Sequence, residues 1–157
     1  MNNNLDIKYG LVDFSNLEEI KRAALIHEQT PVEWDKDFII RPEIVESRVK
    51  HFFKSKDNSD VYLLMAKTPS NQVVGFHWLE IESKYEQICA HIHSLWVDSA
   101  FRGKGIGHKL KSLGEEWAKE RDAKFIFTDV FYNNKKMIDF NLGLGFKARQ
   151  VEMIKDL

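Results

Sequence analysis

The chain has 157 residues, of which 43% are hydrophobic, 30% are charged and only three are proline. This composition is typical of one globular domain and excludes disordered, collagen-like and fibrous chains. Twenty-three basic and 24 acidic side chains leave a formal net charge of -1, so no overall electrostatic field favours nucleic acid or an anionic membrane. We therefore expect a single domain over residues 1–157 that binds neither.

The single cysteine, Cys89, excludes an internal disulfide framework and agrees with a reducing compartment. No apolar stretch reaches the roughly 18 residues that a membrane span requires. Met1–Asp6 lack the basic start and apolar run of a signal peptide. A cytoplasmic protein is the expectation.

The first part of the chain alternates strand and helix patterns. A strand is expected over Ile7–Phe14, and Ser15–Glu18 has the form of a capping box that begins a helix ending at Thr30-Pro31. An N-terminal proline and an apolar stripe predict a second amphipathic helix from Pro42 to about Lys54.

An antiparallel meander of three strands is expected in the centre, with a tight turn at Thr68–Asn71. The strands are Val61–Lys67, Val73–Ile81 and Ile88–Val97. After the glycine run, the pattern predicts a helix from Ile106, a strand over Phe125–Tyr132, a short helix over Asn134–Gly143 and a last strand from Phe146 to about Ile154.

This order of elements predicts an α/β fold, with a mixed sheet of about six to seven strands flanked by about four helices. The strand that ends at Val97, the following helix and the strand over Phe125–Tyr132 are expected to form a parallel βαβ unit. Ligands of such sheets bind beyond the carboxyl ends of the strands, which here means the region around Val97, Gly103–Gly107 and Tyr132.

The run from Arg102 to Gly107 (RGKGIG) lies directly between a strand and a helix. The amides of a first helical turn bind anions, and Arg102 and Lys104 add positive charge, so a phosphate or pyrophosphate is the expected ligand. The spacing fits neither a Walker loop nor a Rossmann fingerprint. A glycine turn that only begins a helix is the alternative.

Leu95–Gly107 (LWVDSAFRGKGIG) resembles the signature of the GNAT superfamily of acetyl-CoA-dependent N-acetyltransferases, in which Arg-x-x-Gly-x-Gly follows a strand ending in an apolar-x-Val pattern. Asn134–Met137 and Leu144–Phe146 are similar to its second block. The resemblance implies that acetyl-CoA is the co-substrate. It also implies that amides of Arg102, Gly103, Lys104, Gly105, Ile106 and Gly107 hold the pyrophosphate, that the backbone of Leu95 and Val97 pairs with the pantetheine arm, and that Asn134 binds the arm or caps its helix.

His91 and His93 are candidates for the base that removes a proton from the acceptor ammonium. The period of a strand puts them on one face, roughly 6–7 Å apart, and His-x-His at this place is similar to the arylalkylamine branch of the family. Two structural strand histidines are the alternative. A shared zinc ion lacks a third ligand fixed by spacing, so no metal is expected. Cys89 is weighed as a nucleophile beside His91, but a lone cysteine in an apolar strand is more often a core residue.

Family members commonly have a tyrosine four residues before Gly145, thought to protonate the departing thiolate, and this chain has Asn141 there. Tyr132 is the alternative proton donor, or else an ordinary strand aromatic. The leading hypothesis is therefore direct acetyl transfer to a primary amine in a ternary complex. The amine belongs to a small molecule, a peptide or a protein, and a homodimer stays open as the assembly. A catalytically impaired CoA-binding module and a histidine-dependent metal hydrolase are the other hypotheses.

Overall fold

A mixed sheet of five strands forms the centre of this computed structural model, which describes residues 6–157. The strands lie in the order of the chain: β1 (Lys8–Leu11), β2 (Val61–Lys67), β3 (Val73–Lys84), β4 (Gln87–Val97) and β5 (Ile126–Thr128). The first four pair antiparallel, and β5 pairs parallel with β4. The expected meander and βαβ unit are confirmed.

Four helices flank the sheet, as expected: α1 (Leu17–Gln29), α2 (Pro42–Lys54), α3 (Ile106–Lys119) and α4 (Lys135–Gly143). Two short 3-10 turns lie at Thr30–Glu33, after α1, and at Ser99–Phe101, before α3. The capping box expected at Ser15–Glu18 is wrong by one residue, because Asn16 is the N-cap of α1 and its Oδ1 accepts a hydrogen bond of 3.3 Å from the Glu19 amide. None of the helices within residues 6–157 is long and apolar enough to cross a membrane.

Two predicted strands are shorter than expected and one is missing, so residues 6–157 form five strands, slightly fewer than the expected six to seven. The first covers only Lys8–Leu11, and the strand expected to reach Tyr132 ends at Thr128. Beyond Thr128 the backbone leaves the core, and the Tyr132 side chain is 80% exposed. The last predicted strand is not formed within residues 6–157, since Val151, Met153 and Ile154 are exposed and bury no apolar surface that would offset the ordering of the backbone.

The two faces of the sheet are covered by different helices. α1 and α2 pack on one face around Ile20, Phe52 and Trp78. α3 packs on the other face through Ile106 and Leu110.

The expectation about a signal peptide concerns Met1–Asp6, and the first five of these lie outside the described residues.

Gly75 in β3 allows the N-terminal part of α3 to lie close against the sheet. A Cβ at this position would lie 2.9 Å from Leu110 Cδ1, 3.0 Å from Ala66 Cβ and 3.1 Å from Ile106 Cγ2. These distances are shorter than ordinary van der Waals contact, so any larger residue would push α3 away from the sheet.

Gly75→Ala is expected to lower the free energy of unfolding by about 1–3 kcal/mol, because overpacking a filled core strains its neighbours. Urea denaturation measures the change. The control is Gly10→Ala in β1, where an added Cβ meets no described atom within 4 Å. A Gly75→Ala protein as stable as the control would contradict the close packing of α3.

Candidate active site

A cavity of about 1100 Å³ opens at the carboxyl end of β4. Its wall is formed by the end of β4, the glycine loop, the first turn of α3 and the beginning of α4. Eight of the nine residues predicted to bind the co-substrate line it: Leu95, Val97, Arg102, Gly103, Gly105, Ile106, Gly107 and Asn134. The ninth, Lys104, is not among the lining residues, and its Nζ lies 4.9 Å from the centroid of the Phe101 ring.

The glycine loop has a backbone that side chains would strain. Gly103 has φ 74° and Gly105 has φ 81°, in the left-handed region where glycine carries no steric penalty. Gly105 is the N-cap of α3, and within the described residues no side chain caps this helix. The first amides of α3 therefore face the cavity side of the loop without a side-chain acceptor, as an anion site requires.

The edge of β4 that faces away from β3 is paired along only part of its length. β5 pairs with Ala90–Ile92, and the Thr128 hydroxyl closes this contact by donating to the Ile92 carbonyl at 3.1 Å. β4 continues to Val97, which pairs with Gly75 of β3. The backbone of Leu95–Val97 therefore borders the cavity with no described strand on its other side, and an extended ligand could pair there.

Arg102 connects the glycine loop to the N-terminal third of the chain. Its Nη2 lies 2.6 and 2.7 Å from the two carboxylate oxygens of Glu33, and its Nε donates to the Val97 carbonyl at 2.9 Å. The guanidinium is thus already paired with a carboxylate. Its expected role at the mouth of an anion site is reduced by this ion pair.

Several residues that line the cavity were not predicted to bind the co-substrate, among them Glu33, Trp34, His108, Lys135, Lys136 and Phe140. Lys135 and Lys136 follow Asn134 directly, so their charge beside a predicted ligand residue was a usable signal. Asn134 caps α4, since its Oδ1 accepts from the Met137 amide at 3.2 Å. Glu33 and Trp34 come from a distant segment and carry no local signal.

His91 and His93 lie on the face of β4 that α1 and α2 cover. The register with β3 shifts so that His93 has no opposite residue, which marks a β-bulge. The two imidazole centroids are 4.1 Å apart, closer than the distance predicted from strand rise. His93 also stacks on Trp78, and His91 stacks on Phe127. The rings are therefore held by packing on both sides.

His93 is held as a neutral imidazole. Burial lowers its pKa to about 3, and the neighbouring His91, His27 and Arg48 contribute in the same direction. Its Nε2 lies 3.8 Å from a Glu80 oxygen and 3.5 Å from a Glu82 oxygen, and it makes no hydrogen bond to any described residue. These two carboxylates are near His93, but neither forms a hydrogen bond with it.

Carboxylates surround the histidine pair. Nδ1 of His91 donates to Glu82 Oε1 at 2.9 Å, and Nε2 of His91 lies 3.4 Å from Asp129 Oδ2. Glu80 accepts from Trp78 Nε1 at 3.1 Å and lies 3.2 Å from Nε2 of His51. The hairpin of β3 and β4 brings these groups together, because Glu80 is opposite His91 and Glu82 is opposite Cys89.

The other candidate residues belong neither to the wall of the cavity nor to the histidine pair. Tyr132 is exposed and does not line the cavity. Asn141 is buried in α4, and its amide group makes no hydrogen bond to a described residue. Cys89 is buried, its thiol donates to the Glu82 carbonyl at 3.4 Å, and burial raises its pKa, so the thiol stays protonated.

Several known proteins with this sequence pattern or this fold are named as acetyltransferases. The sequence profile of the acetyltransferase (GNAT) family matches residues 24–146. An uncharacterized N-acetyltransferase of Methanocaldococcus jannaschii is 37% identical over 83 residues, which are 50% of this chain and 36% of that protein. A mycothiol acetyltransferase of Nocardia farcinica is 21% identical over 145 residues, which are 92% of this chain and 45% of that protein. The chain thus spans less than half of either relative's length.

Solved structures agree over the whole fold. A Pyrococcus furiosus protein, named as a proposed acetyl transferase, has 30% identity and a TM-score of 0.72, with 96% of this chain and 100% of that chain covered. An aminoglycoside acetyltransferase from an uncultured soil metagenomic sample has the same fold at 22% identity and a TM-score of 0.72, covering 100% of this chain and 99% of that one. Since the family profile matches more than half of the residues, the chain belongs to the acetyltransferase (GNAT) family.

Proposed function

We propose that the protein transfers an acetyl group from acetyl-CoA to a primary amine, by direct transfer while both substrates are bound. The observation that carries the proposal is the cavity in which the edge of β4 at Leu95–Val97, beside which no described strand lies, leads to the N-terminus of α3 behind two left-handed glycines. A strand edge suits an extended amide-containing arm, and a helix N-terminus suits a pyrophosphate.

The residues of the cavity fit acetyl-CoA as co-substrate. The amides of Gly103–Gly107 would hold the pyrophosphate, and Lys135 and Lys136 would add charge on the opposite wall. Leu95 and Val97 would pair with the pantetheine arm. Acetyl-CoA supplies a thioester, whose carbonyl carbon is open to attack by an amine.

The histidine pair would act on the acceptor. An alkylammonium has a pKa near that of lysine, about 10, so it must lose a proton before it can attack. His93 is two residues from Leu95, roughly 6–7 Å along the strand, and its Nε2 makes no hydrogen bond to a described residue, so this nitrogen is free to take the proton directly or through a water. Because a pKa of about 3 makes His93 a weak base on its own, the nearby carboxylates of Glu80 and Glu82 would have to stabilise the protonated ring. Glu82 would hold the pair in place, since it accepts a hydrogen bond from His91 Nδ1 and the His91 ring contacts the His93 ring. The C–N bond forms as the C–S bond breaks.

Proton return to the departing thiolate has no assigned donor. A thiol with a pKa near 8.5 is a good leaving group at neutral pH, so water can suffice. Tyr132 remains the side chain predicted for this step. Its exposed position outside the cavity means that it would have to move to take part.

The acceptor proposed is a cationic amine of a small molecule, a peptide or a protein. Glu80, Glu82 and Asp129 concentrate negative charge around the histidines, which would attract an ammonium group. Two proteins with this fold or sequence pattern are named for aminoglycoside and mycothiol acetylation. Release of free thiol in the presence of a panel of amines, peptides and aminoglycosides tests the proposal.

A CoA-binding module without turnover is the second candidate. It is favoured by Asn141, which cannot donate a proton as the usual family tyrosine does and which is buried. Binding of acetyl-CoA without release of thiol for any amine of the panel would support the module over the enzyme.

Gly105→Glu and Gly107→Glu are expected to abolish binding of CoA, because each places a carboxylate where the pyrophosphate would lie. Gly105 has positive φ, and a Cβ at Gly107 would lie 3.4 Å from Phe140 Cζ, so the melting temperature is recorded as well. Calorimetric titration measures the affinity. The control is Gly143→Glu in α4, outside the cavity, which adds the same charge. Undiminished affinity in both loop variants would remove the loop from the binding site.

The double substitution His91→Ala with His93→Ala is expected to lower turnover about 10²- to 10⁴-fold, the usual worth of general-base assistance. The acid limb of the pH–rate profile should shift as well. Affinity for acetyl-CoA serves as the internal control and should change little. Parental turnover and pH dependence at saturating amine would mean that both histidines are structural, and the base would then lie elsewhere, with Glu80 and Glu82 the nearest carboxylates.

A further inference from the structure

We propose that Glu82, His91 and His93 form a binding site for one zinc-type divalent cation, and that the protein with this site filled does not transfer acetyl groups. The second half of this statement rests on the proposed function, because it takes the two imidazoles to be the base. The first half stands on the geometry of the three side chains alone.

The three side chains already have the spacing of metal ligands. Their nearest ligand atoms all lie within 4.8 Å of one another. Glu82 Oε1 is 2.9 Å from His91 Nδ1 and 3.5 Å from His93 Nε2. In a tetrahedral zinc site with bonds of about 2.0–2.2 Å, neighbouring ligand atoms lie roughly 3.3 Å apart. Strand β4 alone supplies no third ligand for the two histidines, and Glu82 on β3 supplies it.

One of the ligand atoms has no other partner among the described residues. Nε2 of His93 is buried and makes no hydrogen bond there. A buried polar atom left unsatisfied is unusual and calls for a ligand or an ion. A metal ion bonded to this nitrogen would satisfy it.

The rings are oriented by their surroundings rather than by the metal. His93 stacks on Trp78 with centroids 4.4 Å apart, and His91 stacks on Phe127 at 4.2 Å. Asp129 lies just outside the three ligands, 3.4 Å from His91 Nε2, the ring nitrogen that would not bind the metal. Such outer carboxylates commonly orient metal-bound imidazoles.

The charge and the ligand types favour a zinc-type cation. The carboxylates of Glu80, Glu82 and Asp129 make the surroundings acidic, and the nearby Arg48 is paired with Glu28 at 2.8 Å. Lys84 is another opposing charge on this side, with its Nζ 3.9 Å from the centroid of the Phe127 ring. Two imidazole nitrogens and one oxygen suit zinc, cobalt or nickel, and do not suit magnesium or calcium. Water or one of the outer carboxylates can complete the four ligands.

Occupancy of this site would conflict with catalysis. An imidazole nitrogen bonded to a metal has no lone pair for a proton, and the cation would repel an incoming ammonium. The ion therefore competes with the acceptor amine. None of its three ligands lines the cavity proposed for acetyl-CoA, so the affinity for acetyl-CoA should change little.

Titration of the metal-free, untagged protein with cobalt(II), followed by visible absorption, tests the site without reference to activity. We expect one equivalent to bind with the intense bands of a tetrahedral ion, and zinc(II) to displace it. Glu82→Gln, which keeps the side-chain size, and His93→Gln should each weaken binding at least about 10-fold. The control is His108→Gln on α3, outside the cluster, which should leave the titration unchanged.

The titration and the enzyme assay separate this inference from the proposed function. No stoichiometric binding by the parent, or equal affinity in Glu82→Gln, His93→Gln and parent, overturns the metal site even if acetyl transfer is fully active. Binding with inhibition by zinc that excess amine relieves supports both halves of the inference. Binding without inhibition of an active enzyme overturns the second half, and with it the assignment of the two imidazoles as the base.

Discussion

The early end of the pairing between β4 and β5 is the constraint on which the candidate site depends. β5 accompanies β4 for only three residues, Ala90–Ile92, whereas β3 accompanies it to Val97. Beyond Ile92 the sheet parts, and α3 begins beside the opening with its backbone amides toward it. A longer β5 would satisfy the edge of β4 and leave no place for an extended ligand. The shortness of this strand is thus a functional feature, although it weakens the edge of the sheet.

The parts of the fold that local chemistry determines were predictable from the sequence. α3 has a strong apolar period, and its beginning is marked by glycines that have left-handed backbone at Gly103 and Gly105. The meander is marked by its turns. The end of β5 and the missing last strand were not predictable in this way, because Phe125–Tyr132 and Phe146–Ile154 have strand-like composition, and only the absence of a surface to bury their apolar residues decides against them.

The candidate site shows the same distinction between features that the local sequence determines and features that tertiary contacts determine. Residues that are contiguous in the chain, from Leu95 to Gly107, were found by their pattern. The arrangement of the carboxylates around the histidines was not predictable from the sequence, because it depends on the register of β3 against β4 and on the bulge at His93. The side chain of Lys104 turns to Phe101, a matter of rotamer that no sequence pattern reports. Distances in a site are set by tertiary contacts even when its residues are evident.

The net charge of -1 conceals two regions of opposite sign along β4. At the carboxyl end of the strand, Lys135, Lys136 and the N-terminus of α3 face the cavity, and the acid group of Glu33 is already paired with Arg102. Toward the middle of the strand, Glu80, Glu82 and Asp129 surround the histidines. A polyanionic co-substrate and a cationic acceptor would therefore be drawn to different ends of one strand.

At an ionic strength of 0.15 M, charges are screened over about 8 Å, so two such regions can act nearly independently when they are a few residues of extended strand apart. The net charge of the whole chain argues against a partner bound by its overall field, and it does not report this local separation of charge, on which the proposed binding of two oppositely charged substrates would depend.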